Sequence, residues 1–315
     1  MKKHVILMAC LAFVMTACQE EKLAPSGMFD TDVPVYDETL ATKDFDKYLY
    51  ENYVETYNLE FLYRMKDVGS NTQYNLVPAR YDQSIRLAVL TKYLWFDVYG
   101  KVVGPDFLKQ NGPRIIYLVG SPAYNPDQGT ETLGTAEGGI KVTLYKVNEM
   151  QPTNIAHLNQ YYFHTMHHEF AHILHQKISY PKEFNTISAS KYSPTGWQNR
   201  TDEEAQKMGF VTNYASSEGR EDFVEVISNY ITETQEDWDK MLETAETGQV
   251  SATETGKDII LRKFDIAKSW LETAWNIDLE ALRQEVQTRQ AEIEGITKYE
   301  ELMEEAGFGE YTYDK

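Results

Sequence analysis

The chain has 315 residues, 42% of them hydrophobic and 13% aromatic, which is enough to bury a large core as one big domain or two modest ones. That composition excludes a disordered chain, and no internal period marks a repeat array. The formal charge of −19 argues against nucleic acid and against docking on anionic lipid, since both need a basic face.

The first residues have the form of a secretory signal. Lys2 and Lys3 precede an apolar run from Val5 to Val14, too short to span a bilayer. Met15-Thr16-Ala17-Cys18 resembles the bacterial lipoprotein processing box. On that reading residues 1–17 are removed and Cys18 becomes the lipidated first residue. Cys10 leaves with the signal, so the folded part has no thiol for a disulfide or a metal. Any metal must then be held by histidines and carboxylates. Residues 18–40 carry Pro25, Gly27 and Pro34 with no apolar period and read as a tether. Gln19-Glu20-Glu21 resembles the acidic export signal of surface lipoproteins in Bacteroides-type bacteria. The expected location is the outer membrane, facing outward, with the lipid as the only membrane contact.

Residues 41–315 read as one catalytic domain whose C-terminal part, from about 236, is helical. A helix is expected at 44–57, a strand at 59–65 and a second helix at 81–99, with Gly100 ending it. Tyr93, Trp95, Phe96 and Tyr99 on that helix read as core. Residues 114–119 form a short apolar strand and 121–134 a polar loop. Residues 138–145 alternate with period two and read as a half-exposed strand, whose free edge could pair with an extended peptide. A long helix follows over 154–178, then a loop at 184–200, a short helix capped by Thr201 and an extended piece at 210–215. Further helices are expected at 220–231, 236–246, 254–273, 278–291 and 298–305. The fold class is α+β, mostly helical, with a small mixed sheet and one helix that carries the chemistry.

That helix holds five of the seven histidines within His164–His175. His168-Glu169-Phe170-Ala171-His172 reads H-E-x-x-H. Residues four apart share a helix face, so His168 and His172 can close on one ion, while Glu169 is placed to act on water as a general base. A catalytic zinc needs a third protein ligand and an open position. A third histidine in metzincin spacing is excluded, because that position is Ile178. A triplet with His175 would strain a tetrahedral site, all three ligands lying on one line. His164 and His175 flank the pair on the same stripe; they could support the ligands or touch substrate, but the favoured reading is satisfied core or surface histidines. The alternative is a carboxylate from a second helix. Glu221 and Glu225 stand four apart on the expected helix 220–231: Glu221 could bind zinc, and Glu225 could accept the free ring N–H of His168. Glu218 and Asp222 are the fallback ligands.

The block His168–His172, Tyr214-Ala215 and Glu221-Asp222-Phe223-Val224-Glu225 resembles the Y-A…E-D-F-A-E signature of gluzincin-type zinc metallohydrolase lipoproteins of Bacteroidetes associated with substrate import. It is also similar to the catalytic domain of anthrax lethal factor. Val224 in place of alanine is the one departure. The resemblance implies a zincin-like fold of the gluzincin type and one Zn²⁺ ion. It also implies a role for Tyr214, whose hydroxyl would donate to an oxyanion.

The function expected is peptide-bond hydrolysis, on a peptide or glycopeptide substrate near an outer-membrane nutrient-import complex. The alternative is a surface lipoprotein that binds substrate for such a complex, its metal structural or vestigial. Loss of Glu169 separates the two, because a binding protein would tolerate it.

Overall fold

The computed structural model describes residues 36–65, 76–125, 130–132, 134–137 and 140–314. The signal segment, Cys18 and most of the tether lie outside the described residues. The chain divides into residues 1–43 and a compact unit of residues 44–315. Of the first, residues 36–42 form turns, with Thr39 bonded to the Asp37 carboxylate.

The compact unit opens with helix α1 (43–57), interrupted by a π-turn at Tyr50–Val54 and stopped at Asn58, whose backbone is left-handed. Strand β1 (Glu60–Leu62) leads to α2 (81–102), which carries a second π-turn at Lys92–Phe96. The expected stop at Gly100 is not where α2 ends. The helix runs through that glycine to Val102, and the chain turns at Gly104, which has φ of 132°. Helix α3 (Phe107–Asn111) and strand β2 (Ile115–Leu118) follow. The expected polar loop contains a hairpin, β3 (Ala123–Asn125) with β4 (Thr130–Thr132), and leads into strand β5 (Gly134–Glu137). Strand β6 (Lys141–Leu144) precedes α4 (155–177).

The main sheet has the order β1-β2-β6-β5. β1, β2 and β6 are parallel, with Phe61 opposite Ile116 and Ile116 opposite Val142. β5 runs antiparallel to β6, with Ala136 opposite Val142. This corrects the reading of 138–145 as a half-exposed strand with a free edge. β6 is paired on both sides, and Val142, Thr143 and Leu144 are buried. The edge belongs to β5, and Gly138 and Gly139 lie outside the described residues. Period-two alternation reports residue spacing, whereas strand order depends on which strands the chain brings alongside.

After α4 come the short α5 (Phe184–Ile187), α6 (Asp202–Lys207) and α7 (Gly219–Thr232). Thr201 caps α6 in a reciprocal box with Glu204. Residues 210–215 are not extended: the stretch is a turn running into a 3₁₀ turn at Tyr214–Ser216. The C-terminal part is helical as expected, with α8 (Gln235–Glu246), α9 (Gly256–Trp275), α10 (Leu279–Glu294) and α11 (Thr297–Glu305). Thr234, Thr255 and Asp278 accept backbone N–H bonds at the starts of α8, α9 and α10. The class is α+β and mostly helical. No helix among the described residues is long and apolar enough to cross a membrane.

One large apolar cluster holds these elements together. Phe170, a variable position of H-E-x-x-H, points into it. Its ring meets Trp95 and Tyr99 of α2 edge-on, at centroid distances of 5.3 and 5.1 Å. Burying one such ring stabilises by roughly 1.5–3 kcal/mol, so the apolar back of α4 fixes where its histidine face points. Asn159 ties the start of α4 to the end of α7 through the Thr232 carbonyl at 3.1 Å, and accepts from Gln290 of α10 at 2.8 Å.

Candidate metal centre

α4 and α7 pack directly against each other. His168 and His172 project from successive turns of α4, with their Nε2 atoms 3.2 Å apart. Glu221 enters from the first turn of α7. Its Oε2 lies 3.1 Å from His168 Nε2 and 3.2 Å from His172 Nε2. Bonds of 2.0–2.1 Å to a tetrahedral zinc would set ligand atoms about 3.3 Å apart, so this triangle matches one face of such a site. Two imidazole nitrogens and a carboxylate oxygen are donors that zinc accepts, and these residues form one of two His/Glu clusters of metal-holding proximity among the described residues.

The other cluster, His164 with His168 and Glu225, shares His168. Its geometry is that of a buried carboxylate collecting donors. Glu225 Oε1 accepts from His168 Nδ1 at 2.8 Å and from His164 Nε2 at 2.9 Å. Its Oε2 accepts from Thr212 Oγ1 at 2.6 Å and from Asn229 Nδ2 at 3.3 Å. With Nδ1 committed to Glu225, the Nε2 edge of His168 faces Glu221 and His172.

The electrostatics suit a cation. Burial opposes charge on Glu225, but His164 and His168 beside it hold its carboxyl well below the usual range. Glu221 is also depressed against the effect of burial, by His168 and His172. Burial would lower the pKa of His168, yet its bonds to Glu221 and Glu225 raise it to about 10. Left to itself the cluster keeps a proton between two carboxylates, and a divalent cation can take its place.

Glu169 is half-buried, and its charge acts on both His168 and Tyr214. Tyr214 stands at the mouth, 36% exposed, with its ring 5.9 Å from that of His168. Burial, together with the nearby Glu221 carboxylate, pushes its pKa up, so it stays a neutral donor. Trp197, from the expected loop 184–200, meets the Tyr214 ring edge-on at 4.9 Å. The structure thus brings His168, Glu169, His172, Tyr214, Glu221 and Glu225 together.

For the flanking histidines the structure favours the alternative in which they support the ligands over the preferred reading as satisfied bystanders. His164 bonds to Glu225, and His175 Nε2 lies 2.9 Å from His172 Nδ1, so both touch residues of the cluster rather than being satisfied elsewhere. Spacing offered a signal: 164, 168, 172 and 175 form one helical stripe. His167 faces the other way, into the core. Its Nδ1 lies 3.0 Å from the Tyr99 hydroxyl, and burial lowers its pKa to about 3.

Neither fallback ligand reaches the site. Glu218 pairs with Arg220 at the surface, at 2.7 Å. Asp222 points to the opposite side of α7, where it meets Lys263 of α9 at 2.6 Å, both side chains fully buried. Tyr192 donates to the same carboxylate oxygen at 2.8 Å, and Lys263 also donates to the Gly209 carbonyl at 2.7 Å. Burial raises the Asp222 pKa and lowers that of Lys263. Nothing local in the sequence marks Lys263, because the pair spans two distant helices.

The described residues thus place a His₂Glu cluster that could hold a metal ion on two packed helices. The chain belongs to the family described as "Putative zinc-binding metallo-peptidase", whose profile matches residues 38–280. It is similar to a solved structure from Bacteroides caccae ATCC 43185, described as "a putative zinc-binding metallo-peptidase". The two share 42% sequence identity and a TM-score of 0.70, over 84% of this chain and 98% of the other. No curated protein matches the chain significantly.

Proposed function

We propose that the chain is a zinc metallopeptidase of the gluzincin type, with His168, His172 and Glu221 as ligands of one Zn²⁺ ion. The observation that carries this is the Glu221 carboxylate, which closes the His168–His172 pair from a second helix at 3.1 and 3.2 Å. Zinc held there supplies Lewis-acid activation of water and of the scissile carbonyl.

The chain's own residues do the rest. Glu169 takes the proton from the attacking water and passes it to the leaving amine nitrogen. Tyr214, a neutral donor beside Glu221, hydrogen-bonds the oxyanion of the tetrahedral intermediate. Glu225 holds the His168 ring in its ligating orientation. Among the described residues the sheet ends on β5, which packs against α4. An extended peptide adds along that edge, which lays its backbone beside the histidine helix.

Residues 1–17 act as a lipoprotein signal, Cys18 carries the lipid, and residues 18–40 tether the catalytic domain, 41–315, to the outer face of the outer membrane. This reading rests on the sequence of those segments. The substrates are peptides or glycopeptides handled beside a nutrient-import complex.

The test is cleavage of a mixed peptide library by the purified chain, followed by mass spectrometry. New termini that need zinc and vanish in Glu169→Gln are the expected result. A zinc-loaded chain that cleaves nothing, or cleaves equally well as Glu169→Gln, would overturn the proposal.

A further inference from the structure

The two proposed histidine ligands are oriented by chemically different partners. His168 donates its Nδ1–H to an anionic carboxylate, Glu225, at 2.8 Å. Among the described residues, no carboxylate bonds to His172 Nδ1. There the partner is Nε2 of His175, at 2.9 Å and one turn further along α4. If His172 Nε2 is to offer a lone pair, its proton must sit on Nδ1, and His175 must then be a neutral imidazole accepting at Nε2.

The surroundings of His175 favour that state and fix its ring. The residue is 9% exposed and meets Tyr180 and Phe223 edge-on, at centroid distances of 5.4 and 6.4 Å. Tyr180 in turn stacks on Phe223 at 4.1 Å and 12°. Phe223 lies between Glu221 and Glu225 on α7. One turn of that helix therefore supplies a ligand, the carboxylate that orients His168, and a wall of the aromatic box around His175.

We propose that His175 is a positioning residue for the metal centre: its Nε2 accepts the Nδ1–H of His172 and so fixes the tautomer and ring plane in which His172 presents Nε2 to zinc. The inference rests on the His168–His172–Glu221 ligand set. A neutral acceptor here adds no further negative charge to those of Glu169, Glu221 and Glu225.

The test uses zinc affinity, measured by competition with a chromophoric chelator, on the wild type, His175→Phe and His175→Gln. Phenylalanine keeps the aromatic packing and removes the acceptor. Glutamine places an amide oxygen near the position of Nε2. The expected result is about 10–100-fold weaker zinc binding in His175→Phe with the metal-free melting temperature retained, and recovery of most of that loss in His175→Gln. Equal affinity in His175→Phe and wild type overturns the inference, and so does an equal loss in both variants. Should His175→Phe fail to fold, the ¹⁵N imidazole spectrum of the zinc-loaded wild type decides. A hydrogen-bonded proton on His172 Nδ1 supports the inference, and a proton on its Nε2 overturns it. A wild type that takes no zinc removes the ligand set itself, whereas a zinc-binding wild type matched by His175→Phe removes only this inference.

Discussion

Glu225 grips His168 from behind: its Oε1 lies 2.8 Å from the Nδ1 of a ring whose Nε2 is 3.1 Å from Glu221. One turn of α7 therefore holds both edges of one imidazole. Such a ring can neither flip nor change tautomer without breaking a buried, charge-assisted hydrogen bond.

Replacing Glu225 by glutamine should weaken zinc binding about 10–100-fold while leaving the ligands in place. Glu221→Ala, which deletes the proposed third ligand, should weaken it further. Titration against a competing chelator ranks the two, and the reverse order would reassign the third ligand.

Tyr214→Phe removes one hydroxyl at the mouth of the site. Turnover on a peptide substrate should fall roughly 10²–10³-fold, with zinc affinity unchanged. Steady-state kinetics alongside zinc titration separates the two effects. A variant with wild-type kcat would leave Tyr214 as a packed aromatic.

Stability and zinc binding should depend on pH in opposite senses. The pKa of His168 rises from 6.5 to about 10 on folding. Its stabilisation of the metal-free chain is therefore full below about pH 6.5 and lost as pH rises through about 10. Glu221 is shifted down from 4.5, so its contribution is full above that value and lost as pH falls through its folded pKa. Burial lowers the pKa of His167 to about 3 and that of His175 to about 4, so their contribution is full only above about pH 6.5, and the metal-free chain should be most stable near that pH. Zinc must displace the His168 proton, so the rise in melting temperature on adding zinc should grow from about pH 6 to 9. Melting curves with and without zinc check this, and a zinc effect that shrinks with pH would contradict it.

The Asp222–Lys263 pair should matter for folding and not for metal. Lys263→Met strands a buried carboxylate and should cost about 3–5 kcal/mol, while Asp222→Asn combined with Lys263→Met should cost less. Urea denaturation measures both. The double variant, if folded, should bind zinc as the wild type does, since Asp222 faces away from His168 and His172.

Much of the centre was legible because it is local. His168, Glu169 and His172 occupy one or two turns, and helical periodicity alone puts the two histidines on a shared face. Glu221 and Glu225 likewise share a face of α7. The helix lengths in the C-terminal part were close for the same reason, since apolar spacing and the threonine and aspartate caps are written within each segment. What misled was pattern without context. Residues 138–145 alternate like an edge strand, but β5 lies beyond β6 and takes the edge. The favoured reading made His175 a bystander, yet its Nε2 lies 2.9 Å from His172 Nδ1, with Phe223 and Tyr180 from outside α4 packed edge-on against its ring.

The sequence by itself determined the donor types, their spacing within each helix, and the glutamate adjacent to the first histidine. A helix's side-chain geometry follows from its 3.6-residue turn and needs no partner. Only the tertiary structure decided that Glu221 meets the histidines while Asp222, its neighbour, turns away to Lys263. The choice depends on the rotation and depth at which α7 packs on α4. Those are set by burial of Phe170, Phe223 and the surrounding core, which brings together residues far apart in the chain.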